Sequence, residues 1–294
     1  MKRSFAIVLV CILLFMAGCA AQGAPQTTTT QPTQGTTTQP THPSSTTQPT
    51  TTLTTVPTTQ PVLDEETYNE QYRNQDIRFF EYSESIKRND GKVIFEMTCP
   101  EIHLTEDHTA AQAAIVNDLK QHIGEFIDES HLNRDEAISY YDTYYQYERM
   151  FYYDILTYYV QRNDANVYSI HAVQEGFLGG VHGYHISHDY NYDPATGKLL
   201  TLNDILQPGA ADDLCQLVCD AIASDPRGTW GNYVEKITNG YFSELEKTNN
   251  WCLTEEGICF TFDEYILADY ASGAFSPVIP YESLTDILLP QYIS

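Results

Sequence analysis

The segment between residues 176 and 206 constrains the fold more than any other part of the chain. From Tyr184 onward its side chains fall into two alternating sets. A period of two is typical of an extended strand, whose successive side chains point to opposite faces of a sheet. We therefore predict a strand that is buried on one face and exposed on the other. The first set is Tyr184, Ile186, His188, Tyr190 and Tyr192, and the second is His185, Ser187, Asp189, Asn191 and Asp193.

Turn signals lie on both sides of this strand. Gly179, Gly180 and Gly183 predict a bend before it. After it, Asp193-Pro-Ala-Thr-Gly197 predicts a tight turn in which Gly197 supplies a positive φ. The bend and the turn together allow the chain to reverse direction twice within about 20 residues, as antiparallel strands require.

The remaining segments predict an α+β fold, mainly an antiparallel sheet with packed helices. We divide it into two contiguous subdomains, residues 63–175 and 176–294. A hairpin around Asp90-Gly91 and a long helix capped by Thr105 or Thr109 belong to the first subdomain. The expected strands are 77–85, 92–104, 151–161, 167–177, 251–254, 258–262 and 274–280, and the expected helices are 109–147, 201–206 (capped by Thr201 or Asn203), 210–224 and 233–247.

The N-terminus predicts a lipid-anchored, extracytoplasmic protein. Lys2 and Arg3 precede an apolar run that is too short to span a bilayer, and small residues lead directly to Cys19. Residues 1–18 therefore resemble a lipoprotein signal peptide, with Cys19 as the lipidated residue anchored to the bacterial cell membrane. Residues 19–62 consist almost entirely of Thr, Gln and Pro, which predicts a disordered stalk.

Charge limits the classes of partner. All 40 acidic residues lie in residues 63–294, together with 13 basic residues. Such a negative field opposes binding to nucleic acid, so we expect no nucleic-acid partner. It favours either a cationic partner or solubility alone.

The sequence predicts neither a metal site nor a bound cofactor. In an extended strand His182 and His188 would lie ~20 Å apart, and His185 would face the other side. Zinc needs its nitrogen ligands about 2.0–2.1 Å from one point. Spacing allows one disulfide, Cys252 to Cys259 across a hairpin, while Cys215 and Cys219, on the inner face of a predicted helix, are expected to be buried thiols.

No recognisable catalytic motif is present. The sequence has no phosphate-binding loop, dinucleotide fingerprint, nucleophile elbow or zinc-protease helix. We therefore predict no catalytic residues. The numerous carboxylates nevertheless leave a cell-envelope hydrolase acting on peptidoglycan as an alternative.

Two blocks, residues 179–206 and 253–281, resemble the signature of a paired domain of extracytoplasmic bacterial proteins. The first contains Gly179-Gly-Val-His182-Gly183, and the second contains Asp263-Glu-Tyr and Asp269-Tyr270-Ala-Ser-Gly273. This pair resembles the sensor region of RsiV-type anti-sigma factors and the region ahead of the catalytic domain in PdaC-type peptidoglycan deacetylases. The resemblance covers about residues 76–289.

The resemblance implies a recognition module rather than an enzyme. The sensor region of RsiV-type proteins binds lysozyme, a cationic protein, which suits the acidic charge of this chain. We therefore expect a membrane-anchored binding module for a cationic protein such as lysozyme or for cell-wall glycan (peptidoglycan). A deacetylase and a structural accessory lipoprotein are the alternatives. Within the two blocks, His182, Tyr184 and Tyr270 are our candidate binding residues.

Overall fold

The structure, a computed structural model, describes residues 58–60, 76–144, 151–225 and 250–293. It confirms the predicted α+β class. The signal peptide, Cys19, most of the stalk and the helix expected over residues 233–247 lie outside the described residues. No helix within the described part is long and apolar enough to cross a membrane.

The larger of two sheets has six strands in sequential order. Neighbouring strands are antiparallel except β3 and β4, which are parallel because the helix α1 (Ala110–Tyr144) crosses from one to the other. This sheet is therefore mainly antiparallel, as predicted. Its strands are β1 (Thr58–Gln60), β2 (Ile77–Lys87), β3 (Val93–Leu104), β4 (Tyr152–Asn163), β5 (Tyr168–Phe177) and β6 (Tyr184–Tyr192).

Local signals position the first hairpin and α1 as expected. Gly91 has a φ of 85° in the β2–β3 turn, where its N–H donates to the carbonyl of Arg88. Thr109 caps α1 reciprocally with Gln112. The Gln112 N–H donates to Thr109 Oγ1, and the Thr109 N–H donates to Gln112 Oε1. This exchange satisfies two of the helix's free donors.

The helix α1 packs on one face of the large sheet. Its apolar residues recur at helical spacing and are buried together with side chains of every strand from β2 to β6. Tyr192 Oη also donates to Asp118 Oδ2 of the helix at 2.9 Å. The helix contributes Ile115, Val116, Leu119, Ile123 and Phe126 to this core.

A second core forms around the C-terminal elements. The predicted final strand over 274–280 is shorter than expected, since only its last three residues pair with β8, while Phe275 forms an isolated bridge with Phe262. Trp251, Phe260 and Phe262 are almost fully buried in this core. The elements are α2 (Leu202–Ile205), α3 (Ala211–Ala223), β7 (Trp251–Leu253), β8 (Gly257–Phe260) and β9 (Val278–Pro280).

Two boundaries in the structure differ from the expectation. The proposed boundary between residues 175 and 176 lies inside β5, so the large sheet is continuous across it. Thr58–Gln60, assigned to the disordered stalk, forms β1 against β2. An edge strand presents unpaired N–H and C=O groups, and these can pair with any extended segment regardless of its side chains.

The alternation predicted one buried and one exposed face for β6, but side chains on both faces are buried. Ser187, Asp189 and Asn191 are each at most 5% exposed. The small sheet and the loop after it cover them. Asn191 donates to the Trp251 carbonyl and accepts from the Leu253 N–H. A polar side can thus be an internal face when a distant segment supplies its hydrogen bonds.

Candidate binding surface

Three aromatic rings gather where the bend before β6 meets the loop after β8. The ring of His182 stacks on Tyr270 with centroids 3.8 Å apart and planes at 17°. Tyr265 completes the cluster, since its hydroxyl lies 3.1 Å from His182 Nε2 and its ring 6.0 Å from that of Tyr270. We call His182, Tyr265 and Tyr270 the aromatic cluster. It joins parts of the chain that are more than 80 residues apart.

The aromatic cluster lies at the surface. Tyr265 is 58% exposed, His182 is exposed, and Tyr270 is half-buried beneath them. Val181, next to His182, is 99% exposed. Aromatic residues are enriched in protein interfaces relative to the rest of the surface, so this group is a candidate recognition site.

The backbone that presents Tyr265 is strained. Its φ of 69° makes it the one non-glycine residue with positive φ within the described residues. A bulky residue in this left-handed region is an outlier, and such strain is found preferentially at functional sites. Hydrogen bonds stabilise the rest of the loop. Asp269 accepts from the N–H and the hydroxyl of Ser272, and this cap positions Tyr270 at the start of a 3₁₀ turn.

The bend that presents His182 depends on two of its three glycines. Gly179 has a φ of 83°. A Cβ at Gly183 would lie 2.7 Å from the carbonyl oxygen of Gly176, so only glycine allows this approach. Gly180 has no comparable restriction. Its Cβ would meet the His182 carbonyl at 3.6 Å, an ordinary contact.

Tyr184 and Gly197 lie away from the aromatic cluster. Tyr184 points to the helix-facing side of the sheet, where its hydroxyl donates to Asp154 Oδ1 at 2.6 Å. The structure therefore brings His182 and Tyr270 together but not Tyr184. Gly197, with a φ of 75°, packs against α1, where a Cβ would lie 2.5 Å from the Ala111 carbonyl oxygen.

Carboxylates border the aromatic cluster. His185, three residues after His182, lies between Glu175 Oε2 at 3.5 Å and Glu264 Oε1 at 3.4 Å. Asp263 accepts from the N–H and the hydroxyl of Ser187. No lysine or arginine occurs in residues 175–192 or 248–294, and the latter segment carries seven acidic residues. The surface around the cluster is therefore anionic.

A cavity of about 150 Å³ lies elsewhere in the molecule. It opens between β2, β4 and the start of α1, with Ile77, Gln112 and Asn163 among its lining residues. None of the predicted binding residues lines it. The aromatic cluster is thus a surface feature rather than the wall of a pocket.

Tyr265 and the buried partners of β6 were not predicted. Tyr265 lies within the second signature block, and its exposed ring depends on a backbone angle that no sequence pattern specifies. A signal existed in the loop itself, because Asp263-Glu-Tyr and Asp269-Tyr place two tyrosines among carboxylates within eight residues.

Comparisons with known proteins agree on the fold. Residues 203–282 match the family model described as "Protein of unknown function (DUF3298)". No curated protein matches the chain. Similar solved structures include two DUF3298 family proteins. One is a DUF3298 family member from Bacteroides fragilis, with 18% identity, a TM-score of 0.54, and coverage of 74% of this chain and 94% of the other.

The second similar structure is a DUF3298 family protein from Pseudomonas aeruginosa. It has 16% identity, a TM-score of 0.48, and coverage of 75% of this chain and 97% of the other. The likeness to the Bacteroides protein concerns the fold alone. Tyr265 and Tyr270 lie within the segment that matches the DUF3298 family model.

Proposed function

We propose that this protein is an extracytoplasmic binding module, held to the bacterial membrane by a lipid on Cys19, that recognises a cationic protein such as lysozyme. One observation carries the proposal. An exposed aromatic cluster, presented by a strained backbone, lies on a surface without lysine or arginine in the segments that form it. The DUF3298 domain also occurs in RsiV-type proteins, which the sequence resembles.

The proposal rests on two kinds of interaction, contact with aromatic rings and attraction by negative charges. The few residues that carry most of the binding energy of a protein interface are enriched in tryptophan, tyrosine and arginine. Carboxylates around them attract a cationic partner and accelerate its association. Tyr265 and His182 offer the rings, and Glu175, Glu264 and Asp269 offer the charge. The rings and the carboxylates lie on the same surface, so a single partner can contact the aromatic cluster and the charges around it.

Cell-wall glycan is the second candidate ligand, and a separate feature favours it. Tyrosine combines a flat apolar ring with a hydroxyl, which suits the alternating apolar and hydroxyl surfaces of a sugar. The two candidates differ in their response to salt. Binding to a cationic protein weakens as salt screens the charges, whereas stacking on an uncharged sugar does not.

Binding of the full chain to lysozyme by isothermal titration calorimetry tests the proposal. We expect binding at low salt that weakens strongly between about 0.05 and 0.5 M NaCl. Tyr265→Ala should reduce the affinity by about 10- to 30-fold, since truncation of a central aromatic residue commonly costs about 2 kcal/mol. An absence of binding to lysozyme at low salt contradicts the cationic-protein version. Titration with soluble peptidoglycan fragments then tests the glycan version.

Tyr159→Ala is the matched control. Tyr159 is 48% exposed, like Tyr265, but it lies on β4 opposite His171, about six residues along the sheet from the end at Tyr153. At ~3.3 Å per residue this is ~20 Å from the bend. The control should leave the affinity within about twofold. An equal loss in both variants would indicate a general effect of tyrosine removal.

The lipid anchor has its own test. Cys19→Ala removes the only thiol in the predicted lipobox. In bacterial cells expressing the full chain, the wild-type protein should partition with membranes and the variant should not. Retention of the variant in the membrane fraction contradicts anchoring through Cys19.

A further inference from the structure

A second cluster of chemically active side chains lies between the two sheets, apart from the aromatic cluster. His171 on β5 is directly opposite Asp189 on β6, and its Nδ1 lies 2.7 Å from Asp189 Oδ1. Cys252 on β7 approaches from the small sheet. One donor atom from each of these three residues lies within 4.8 Å of the others. A nitrogen, an oxygen and a sulfur ligand thus converge.

Burial of these three side chains costs free energy unless a further group satisfies their polar atoms. Asp189 is 1% exposed and Cys252 is 2% exposed. Asp189 Oδ2 has no hydrogen-bond partner of good geometry within the described part of the chain, although the Cys252 thiol lies close enough to donate to this carboxyl. A buried carboxylate oxygen without a partner costs free energy, and a bound water or ion is one way to satisfy it. This oxygen belongs to the residue that lies between His171 and Cys252.

Cys259 lies next to this group but is not one of the three residues whose donor atoms converge within 4.8 Å. It is the direct cross-strand neighbour of Cys252 in the β7–β8 hairpin. The two thiols of this cross-strand pair can therefore reach the same ion. The thiolate is the form that binds metal ions. Two sulfurs, one imidazole nitrogen and one carboxylate oxygen make a complete donor set for a tetrahedral ion.

We propose that His171, Asp189, Cys252 and Cys259 bind a zinc ion that joins the small sheet to the large one. Zinc accepts all three ligand types in tetrahedral sites, at about 2.0–2.3 Å. Donor atoms around such an ion lie ~3.3–3.8 Å apart, so the three converging ligands close by roughly 1 Å on binding and Cys259 moves in to join them. Four protein ligands leave no open position, which makes the site structural rather than catalytic.

The site also has a route of entry. His171 retains 22% exposure of its side chain and stacks its ring beside Tyr159, which is itself exposed. An ion can therefore arrive from the surface at the imidazole and bind the buried donors behind it. The two thiols face each other and could instead form a disulfide, and this is the competing state that the experiment must distinguish.

Cobalt(II) is the probe, since it occupies zinc sites and its absorption reports both thiolate ligation and geometry. The full chain, reduced and treated with chelator, is titrated with Co²⁺. We expect one equivalent to bind, with a thiolate charge-transfer band in the near ultraviolet and visible bands of a tetrahedral ion. Zn²⁺ should displace the Co²⁺ and should raise the Tm of the wild-type protein, since a ligand that binds only the folded state stabilises it.

Ligand and control variants locate the site. Cys252→Ser and His171→Gln should each weaken Co²⁺ binding by more than about 100-fold, because loss of residues that only support a ligand already costs 10–100-fold. Cys215→Ser is the control. Cys215 is a half-buried thiol on α3 that shares a hydrogen bond with Cys219. Its removal should leave the Co²⁺ spectrum unchanged.

Three results overturn the proposal. The first is that the reduced wild-type protein binds no Co²⁺, a result that does not depend on the folding of any variant. The second is that the Cys252→Ser and His171→Gln proteins bind Co²⁺ as tightly as the wild type. The third is that mass spectrometry detects a Cys252–Cys259 disulfide that persists in the folded protein under reductant.

Discussion

Tyr184 reaches across Gly176 to donate a hydrogen bond of 2.6 Å to Asp154 Oδ1. Asp154, Gly176 and Tyr184 are direct neighbours on three adjacent strands. The carboxylate is fully buried, and its other oxygen accepts from Asn133 of α1. The glycine leaves the space through which the tyrosine ring passes. A residue that the sequence suggested as a binding residue is thus part of the internal support of the sheet.

Tyr184→Phe should destabilise the fold by about 1–3 kcal/mol. It leaves a buried carboxylate oxygen without a donor, and that desolvation cost is not recovered elsewhere. Urea unfolding measures the change. Tyr159→Phe removes a half-exposed hydroxyl from β4 and should change the free energy of unfolding by less than about 0.5 kcal/mol. Equal stabilities of wild type and Tyr184→Phe would contradict a role for the bond to Asp154.

Gly176→Ala should destabilise the fold by about 1–3 kcal/mol through overpacking. The added Cβ would lie 2.6 Å from Asp154 Oδ1 and 2.7 Å from the Tyr153 carbonyl oxygen, a backbone atom that cannot easily move. Gly124→Ala provides a comparison of opposite sign. It lies within α1, has no neighbour within 4 Å of the new Cβ, and should stabilise the helix by about 0.5–1 kcal/mol. Differential scanning calorimetry on both variants checks the contrast.

Arg162→Met should destabilise the protein by on the order of 3 kcal/mol. Its guanidinium is 3% exposed and donates to the Tyr281 hydroxyl at 2.5 Å and to the Tyr292 carbonyl at 2.7 Å. These bonds tie the end of β4 to the C-terminal segment, and their loss leaves buried acceptors unpaired. Arg134→Met is the control, because Arg134 pairs with the exposed Asp135 and such surface pairs contribute little. Chemical denaturation should separate the two variants clearly.

Acid should weaken the fold in part through Asp164. Burial raises the pKa of this carboxyl, but the N–H of Asn166, the Arg162 guanidinium and the N–H of Val167 outweigh it and hold the pKa below 3.8. A lowered pKa contributes stability that is present above the unfolded value near 3.8 and is lost as the pH falls through the folded value. Urea unfolding between pH 2 and 6 should therefore show a shallower loss for Asp164→Asn than for wild type. Parallel profiles would exclude Asp164 as a source of this pH dependence.

Local sequence signals predicted the individual elements better than their mutual arrangement. Asp90-Gly91 and Thr109 set the first hairpin and the start of α1, because turn and cap chemistry acts over a few residues. The alternation in β6 predicted one exposed face, but the structure covers the face that carries Asp189 and Asn191. Its covering partners, Trp251 and Cys252, come about 60 residues later, and nothing within the strand indicates them.

The candidate sites likewise depend on contacts between distant segments, which local sequence signals do not predict. His182 and Tyr270 were proposed from the signature blocks, and the structure stacks them, but it turns Tyr184 inward. The alternation placed His182 and Tyr184 on the same face, yet the bend at Gly183 ends the strand before His182. The cluster of His171, Asp189 and Cys252 draws on three strands. Single histidines and cysteines, far apart in sequence, carry no spacing pattern that would predict a shared site.

Tyr265 offers a test that separates strain from contact. Tyr265→Ala and Tyr265→Gly both remove the ring from the aromatic cluster, so both should weaken ligand binding equally. They differ only in the backbone at a φ of 69°. Glycine adopts this region without steric cost, whereas alanine does not. Tyr265→Gly should therefore be more stable than Tyr265→Ala by about 1 kcal/mol in urea unfolding. A more stable alanine variant would mean that the loop relaxes to a negative φ once the ring is gone, and that the strain belongs to the tyrosine's contacts with His182 and Tyr270 rather than to the path of the loop.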